Sequence, residues 1–239
     1  VNIEKTLTHP RYGFRYAQMK GCPHPDADHA SAWSFEDEQV VRDRHWHIKK
    51  GDVVLDVGAA FGSYTLPALA MGARVVAFSP ADFDTELLNL NLQLNPELAK
   101  RCLVVRDGLH ERDGWFDPDH STFASDDHPH AVGTNMASAN DRAAFAGWLR
   151  CRSLDSFMSN HPGIDRVDWI KMDIEGAELG ALKGGIETLR KYRPKCLIEC
   201  HQFHNGNTQT DVFAFMESLG YQGVAQPHCA VSHAYFEVK

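Results

Sequence analysis

Three short apolar runs, separated by two segments of helical length, constrain this chain more than any other feature. Val53-Val54-Leu55-Asp56-Val57, Arg74 to Phe78 and Cys102 to Arg106 are too uniformly apolar for half-exposed strands and predict buried parallel ones. Between them, Ser63 to Met71 and Asp82 to Leu94 predict helices, the second with a broad apolar face of Leu87, Leu88, Leu90, Leu92 and Leu94. Gly72 closes the first helix and Asn95-Pro96 the second. Pro67 must fall near the first turn of its helix, where a missing N–H costs little. A β-α-β-α-β order implies a parallel sheet with right-handed crossovers.

The alternation pauses and then resumes. Leu149 to Leu154 reads as extended, Ser156 to Ser159 as a short helix, Val167 to Asp173 as a strand, Ala177 to Lys191 as a helix and Lys195 to Glu199 as a strand. Asp211 to Leu219 predicts the last helix. Tyr221 to Val224 and Tyr235 to Val238 predict an antiparallel hairpin at the sheet edge. Residues 1–32 are polar and turn-rich, expected as a loosely structured lead-in, and Trp33 to Ile48 suits a helix whose charge order complements its dipole. Residues 108–147 have little periodicity and predict a long irregular insert or flap. The organisation expected is a lead-in and helix over 1–48, contributing to the substrate side, and one α/β domain over 49–239 with its insert at about 108–147.

Composition narrows the setting. The 239 residues, 43% hydrophobic, suffice for one large core. A net charge of −8 argues against a broad nucleic-acid surface. No apolar run approaches the roughly 20 residues of a membrane span. Val1 to Lys5 lack the basic-then-apolar pattern of a signal peptide. The six cysteines show no disulfide or zinc spacing, and Cys102, Cys196 and Cys200 sit in predicted strands, so a cytoplasmic protein is expected, with neither nucleic acid nor membrane as partner. Most of the fourteen histidines fall in the lead-in, the insert and the tail; those at 120, 128 and 130 lack ligand spacing and read as surface residues.

Asp56-Val57-Gly58-Ala59-Ala60-Phe61-Gly62 joins the first buried strand to its helix, facing the crevice where open α/β sheets bind ligands. Gly58 is expected to let the backbone approach a ligand, and Gly62 to permit a tight turn into the helix. The D-x-G-x-x-x-G spacing is not the G-x-G-x-x-G of a dinucleotide site. A glycine turn without phosphate spacing, preceded by a carboxylate, suits a nucleoside with a cationic or zwitterionic tail, such as S-adenosylmethionine.

This turn belongs to an ordered set. Gly51 to Ala59, Ala77-Phe78-Ser79-Pro80, Leu154-Asp155-Ser156-Phe157, Lys171-Met172-Asp173-Ile174-Glu175-Gly176-Ala177-Glu178 with Leu182-Lys183-Gly184, and Leu197-Ile198-Glu199 together resemble the FkbM-type family of class I, S-adenosylmethionine-dependent methyltransferases. The resemblance covers roughly residues 50–224, and the K-x-D-x-E-G-x-E block is its most specific element. It implies a single Rossmann-like domain with a mostly parallel seven-stranded sheet, methyl transfer to a hydroxyl oxygen of a sugar, glycan or natural-product small molecule, and S-adenosylhomocysteine as product. The implied cofactor contacts are Asp56, Gly58, Ala59, Ala60, Phe61, Gly62, Ser79, Asp107 and Asp173.

Two positions depart from the family pattern. Ala60 stands where the family usually has Asn, and Ser79 where it places the Glu that holds both ribose hydroxyls; a serine offers one weaker neutral bond. Asp82 and Asp84 are the nearest replacements in sequence. A methyltransferase-like binding or scaffold protein with weakened cofactor affinity is the alternative these departures support. Asp107, just beyond the third strand, is placed to meet the adenine amino group or to be a solvated turn residue.

Lys171 and Asp173 are two apart on one strand and point to the same face, where both are costly to bury unless paired or used. Glu175 and Glu178 open the following helix, suited to its positive end. Gly180 and Gly184 are expected to flatten a helix face against the sheet. Glu199 and His201 end the next strand, about 5 Å from Asp173 if the two strands are neighbours. Two roles stay open for this group. Asp173, Glu199 and His201 could hold Mg²⁺. Alternatively, His201 is the general base for the acceptor hydroxyl, with Glu199, Asp173 and Lys171 around it.

Overall fold

The computed structural model describes residues 3–19, 39–117, 122–125, 148–200, 209–228 and 231–238. In chain order, β1 (Ile3–Thr8) and β2 (Arg15–Met19) precede α1 (Gln39–His45), β3 (Val53–Val57), α2 (Thr65–Ala70), β4 (Arg74–Phe78) and α3 (Asp82–Gln93). Then follow α4 (Pro96–Ala99), β5 (Cys102–Val105), β6 (Gly108–Leu109), β7 (Gly114–Asp117), β8 (Thr122–Ser125) and β9 (Leu149–Arg152). The chain continues through α5 (Leu154–Asn160), β10 (Trp169–Met172), α6 (Glu178–Lys183), α7 (Ile186–Tyr192), β11 (Lys195–Cys200), α8 (Gln209–Ser218), β12 (Tyr221–His228) and β13 (Val231–Val238).

Seven strands form the main sheet in the order β12-β13-β11-β10-β3-β4-β5. The five strands from β11 to β5 are parallel, and β13 runs antiparallel between β11 and β12. The expected α/β class, parallel sheet and antiparallel edge hairpin are all present. All five β3 residues are buried, as a strand covered on both faces requires. Alternate residues feed two cores. Leu55, Val57, Phe78, Ile170, Met172 and Ile198 face one side with Phe157. Val54, Val75, Ala77, Trp169 and Leu197 face the other with Trp46, Tyr64, Leu66 and Leu88. On that second side Trp46 sits edge-on to both Tyr64 and Trp169, each at 5.2 Å between centroids, and so seats α1 on the sheet.

Three expectations are corrected. Within the lead-in, residues 3–19 are ordered as the β1–β2 antiparallel hairpin, with Phe14, Tyr16 and Ala17 buried. Within the insert, β6, β7 and β8 join β9 in a four-stranded sheet ordered β6-β9-β7-β8, so its first part is regular. The histidines at 120, 128 and 130 lie outside the described residues, as do 20–38. The single helix expected over Ala177 to Lys191 is two, broken at Gly184-Gly185. The break is held by Asp155, whose carboxylate accepts the backbone N–H groups of Glu187 and Thr188 at 3.0 and 2.8 Å and so caps α7.

Gly180 and Gly184 press on the segment after β6 rather than on the sheet. A Cβ on Gly184 would stand 2.2 Å from the His110 carbonyl oxygen, and one on Gly180 would meet the His110 ring at 3.7 Å. No helix among the described residues is long and apolar enough to cross a membrane. Gly184→Ala must push two backbones apart and is expected to destabilise the protein by about 1–3 kcal/mol, read as a lowered urea midpoint at unchanged slope.

Candidate active site

The parallel strands β3, β4, β5, β10 and β11 bring their carboxyl ends to one edge of the sheet, where open α/β sheets form their ligand crevice, and the glycine turn leads off from β3 there. Gly58 and Ala59 both donate their N–H to the Phe78 carbonyl, at 3.0 and 2.9 Å, which ties the turn to β4. Asp173 donates its N–H to the Val57 carbonyl at 3.0 Å, which ties it to β10. Gly58 has φ +81°, and a Cβ there would lie 1.8 Å from the Asp173 carbonyl oxygen. The missing side chain at this position therefore makes room for Asp173. Ala60 adopts φ 45°, a left-handed conformation that costs an L-residue about 1 kcal/mol and that Asn tolerates better.

Ser79 ends β4. Its N–H meets the Val105 carbonyl at 2.9 Å and its carbonyl accepts the Thr85 hydroxyl at 2.5 Å. Its own hydroxyl is buried and has no hydrogen-bond partner among the described residues. Such a group is costly unless something else satisfies it. A ribose hydroxyl would do so, and the residues present fit a nucleoside cofactor on that ground. Asp82 is not a free substitute for the missing glutamate, since its exposed carboxylate is paired with Arg106. Asp107 is paired with Arg152 at the end of β9.

Asp56 and Lys171 are direct neighbours in the β3–β10 register, on the Tyr64 side of the sheet. Asp56 is fully buried; its Oδ2 accepts the Thr65 hydroxyl at 2.5 Å, and its Oδ1 has no partner among the described residues. Burial pushes its pKa up, against the pull of the Lys171 charge. Lys171 is 3% exposed; its Nζ lies 3.1 Å from Asp173 Oδ2 and 4.8 Å from the Tyr64 ring centre. The Asp173 side chain is 24% exposed, so it carries this buried charge network to the crevice.

Register also relates Asp173 to Glu199. Lys171 pairs with Leu197 and Met172 with Ile198, which makes Asp173 and Glu199 the next residues at one level. Glu199 Oε2 lies 3.2 Å from Nε2 of His233, its register partner on β13. His201 lies outside the described residues, and among those described no group of three His, Cys, Asp or Glu side chains is arranged to hold a metal. Glu178 Oε1 accepts the N–H groups of Ile174 and Gly176, at 3.3 and 3.1 Å, and shapes the loop after Asp173; Glu175 within that loop is left-handed at φ 56°. The participation of Tyr64, Thr65, Arg152 and His233 had no sequence signal, because each depends on a partner that only the fold brings close.

Asp56 makes the pH dependence of stability unusual. Its raised pKa means that the folded state holds a proton which the unfolded chain has lost, so stability falls as pH rises from the ordinary carboxylate range through the raised value. Asp56→Asn keeps an acceptor for the Thr65 hydroxyl and is expected to flatten that fall, measured as urea midpoints of the two proteins between pH 4 and 8.

Comparison with known proteins agrees with this geometry. Residues 56–222 match the family described as the methyltransferase FkbM domain. The AMB antimetabolite synthetase AmbE of Pseudomonas aeruginosa is 27% identical over 199 residues, covering 72% of this chain and 9% of that protein. An FkbM methyltransferase crystal structure from Methylobacillus flagellatus KT superposes with a TM-score of 0.58 at 21% identity, covering 80% of this chain and 44% of that one. The chain thus spans less than half the length of either relative. With a match over most of its length and the sheet order that places the glycine turn beside Asp173, this chain belongs to the FkbM methyltransferase family.

Proposed function

We propose that the protein is an S-adenosylmethionine-dependent O-methyltransferase acting on a hydroxyl of a sugar, glycan or natural-product small molecule. The observation that carries this reading is the partly exposed Asp173 carboxylate, held by the buried Lys171 ammonium beside the glycine turn. The match to a segment of an antimetabolite synthetase favours a natural-product acceptor over a glycan. The free thiols of Cys102, Cys151, Cys196 and Cys200 favour a reducing, cytoplasmic setting.

Bound S-adenosylmethionine supplies an electrophilic methyl on a sulfonium sulfur, so the protein's task is in-line positioning and removal of one proton. Residues 58–62 and the Ser79 hydroxyl hold the nucleoside. Asp107, already paired with Arg152, lies at the adenine side. Asp173 accepts a hydrogen bond from the acceptor hydroxyl and fixes its oxygen. Its ion pair with Lys171 fixes the direction in which it accepts. His201 takes the hydroxyl proton as general base, with Glu199 two residues before it. A Mg²⁺ ion held by Asp173, Glu199 and His201 is the competing account of the same residues. The lead-in over 1–48 and the insert within 108–147 supply the acceptor side.

Titration calorimetry with S-adenosylhomocysteine is the direct test: saturable heat is expected, and its absence at high ligand concentration would leave a binding or scaffold protein in place of an enzyme. His201→Ala should retain this binding and lose at least about a hundredfold in turnover, the usual weight of a general base. Turnover abolished by EDTA and restored by Mg²⁺ would transfer the role to the metal.

A further inference from the structure

The N-terminal hairpin has an open edge along β2, and two asparagines occupy it, Asn91 of α3 and Asn95 at the start of α4. Asn95 Oδ1 accepts the Arg15 N–H at 2.8 Å, and its Nδ2 donates to the Arg15 carbonyl at 2.6 Å. One helical turn earlier, Asn91 Oδ1 accepts the Ala17 N–H at 2.8 Å. Residues 15 and 17 face the same edge of a strand, and Asn91 near the end of α3 and Asn95 at the N-cap of α4 both reach that edge, so the two amides stand in for a third strand.

Asn91 also reaches the other way. It is 0% exposed, and its Nδ2 donates to the Phe61 carbonyl at 2.9 Å. Phe61 lies between two residues of positive φ, Ala60 at 45° and Gly62 at 102°. The direction of its carbonyl therefore decides the shape of the turn, and the strain at Ala60 means the turn needs support from outside itself. The Phe61 side chain packs on Ala17 and Leu87, which joins the same three elements through apolar contact. Asn95 shares the hairpin bonds, but its remaining amide bond is to the Asn91 carbonyl at 2.7 Å and not to the turn.

We propose that Asn91 is a positioning residue for the cofactor turn and that it couples the turn to the N-terminal hairpin. The proposal rests on the S-adenosylmethionine reading given above. Removing the Asn91 amide takes one hydrogen bond from the Phe61 carbonyl and one from the Ala17 N–H together, so the turn loses a support of its shape and the hairpin part of its anchor. Removing the Asn95 amide affects the hairpin alone.

The test compares Asn91→Ala with Asn95→Ala. Both are expected to lower the urea midpoint. Only Asn91→Ala should weaken S-adenosylhomocysteine binding, by about tenfold in calorimetric Kd, and raise the cofactor KM to match while kcat stays within about twofold. In ligand-free protein, amide hydrogen exchange over residues 58–62 should accelerate in Asn91→Ala and match the parent in Asn95→Ala. That readout is independent of the cofactor, so a parent that fails to bind S-adenosylhomocysteine sinks the activity reading, whereas equal exchange in the two variants overturns this one. Equal Kd values in the two variants overturn it as well. Should Asn91→Ala not fold, Asn91→Asp keeps the acceptor for the Ala17 N–H and loses the donor to Phe61; parent-like exchange in that variant is also a refutation.

Discussion

A buried ammonium organises the crevice. Lys171 sits on the central strand pair of the sheet, nearly sealed from water, and an ion of that size is stable there only if its surroundings replace most of its hydration. Three groups do so: the Asp173 carboxylate, the Tyr64 ring and the neighbouring Asp56. Each then takes on a fixed place. Asp173 is drawn back to the end of β10, where its carbonyl fills the space above Gly58. Tyr64 is held at the start of α2, where Trp46 packs against it and brings α1 onto the sheet. Burial pushes the Asp56 carboxyl up, against the pull of the same cation.

In the proposed chemistry a carboxylate already bonded to an ammonium accepts a hydrogen bond from the acceptor in a fixed direction. Glu199 is likewise engaged, close to His233 on the adjacent antiparallel strand. In the proposed chemistry the described carboxylates therefore orient, and the proton-accepting duty falls to a residue with a pKa nearer neutrality.

Much of the fold was legible because parallel strands covered on both faces leave uninterrupted apolar runs, as Val53 to Val57 and Arg74 to Phe78 do. The crevice was legible for a related reason: glycines and carboxylates at strand ends cannot be explained by packing alone. What escaped detection depended on distant partners. The hairpin at residues 3–19 reads as polar and turn-rich, since its open edge is satisfied by side chains some 75 to 80 positions away. Asp107 gave no sign of its pairing with Arg152, 45 residues on. The split between α6 and α7 did have a local mark, the Gly184-Gly185 pair, but the apolar periodicity running through it argued for continuity. Gly58 was recognised as special without its contact with the Asp173 carbonyl being visible. Sequence shows that a side chain is missing, not which neighbour uses the space.

The pair Asn91 and Asn95 has a consequence beyond the crevice. A two-stranded ribbon ordinarily leaves a row of unsatisfied donors and acceptors along each edge, an invitation for a strand of another molecule to add on. Here the groups at Arg15 and Ala17 that such a strand would seek are already taken by side-chain amides from within the fold. The same two residues that seat the hairpin also blunt it as a template for edge-to-edge association, so a chain that lost them would be more adhesive as well as looser.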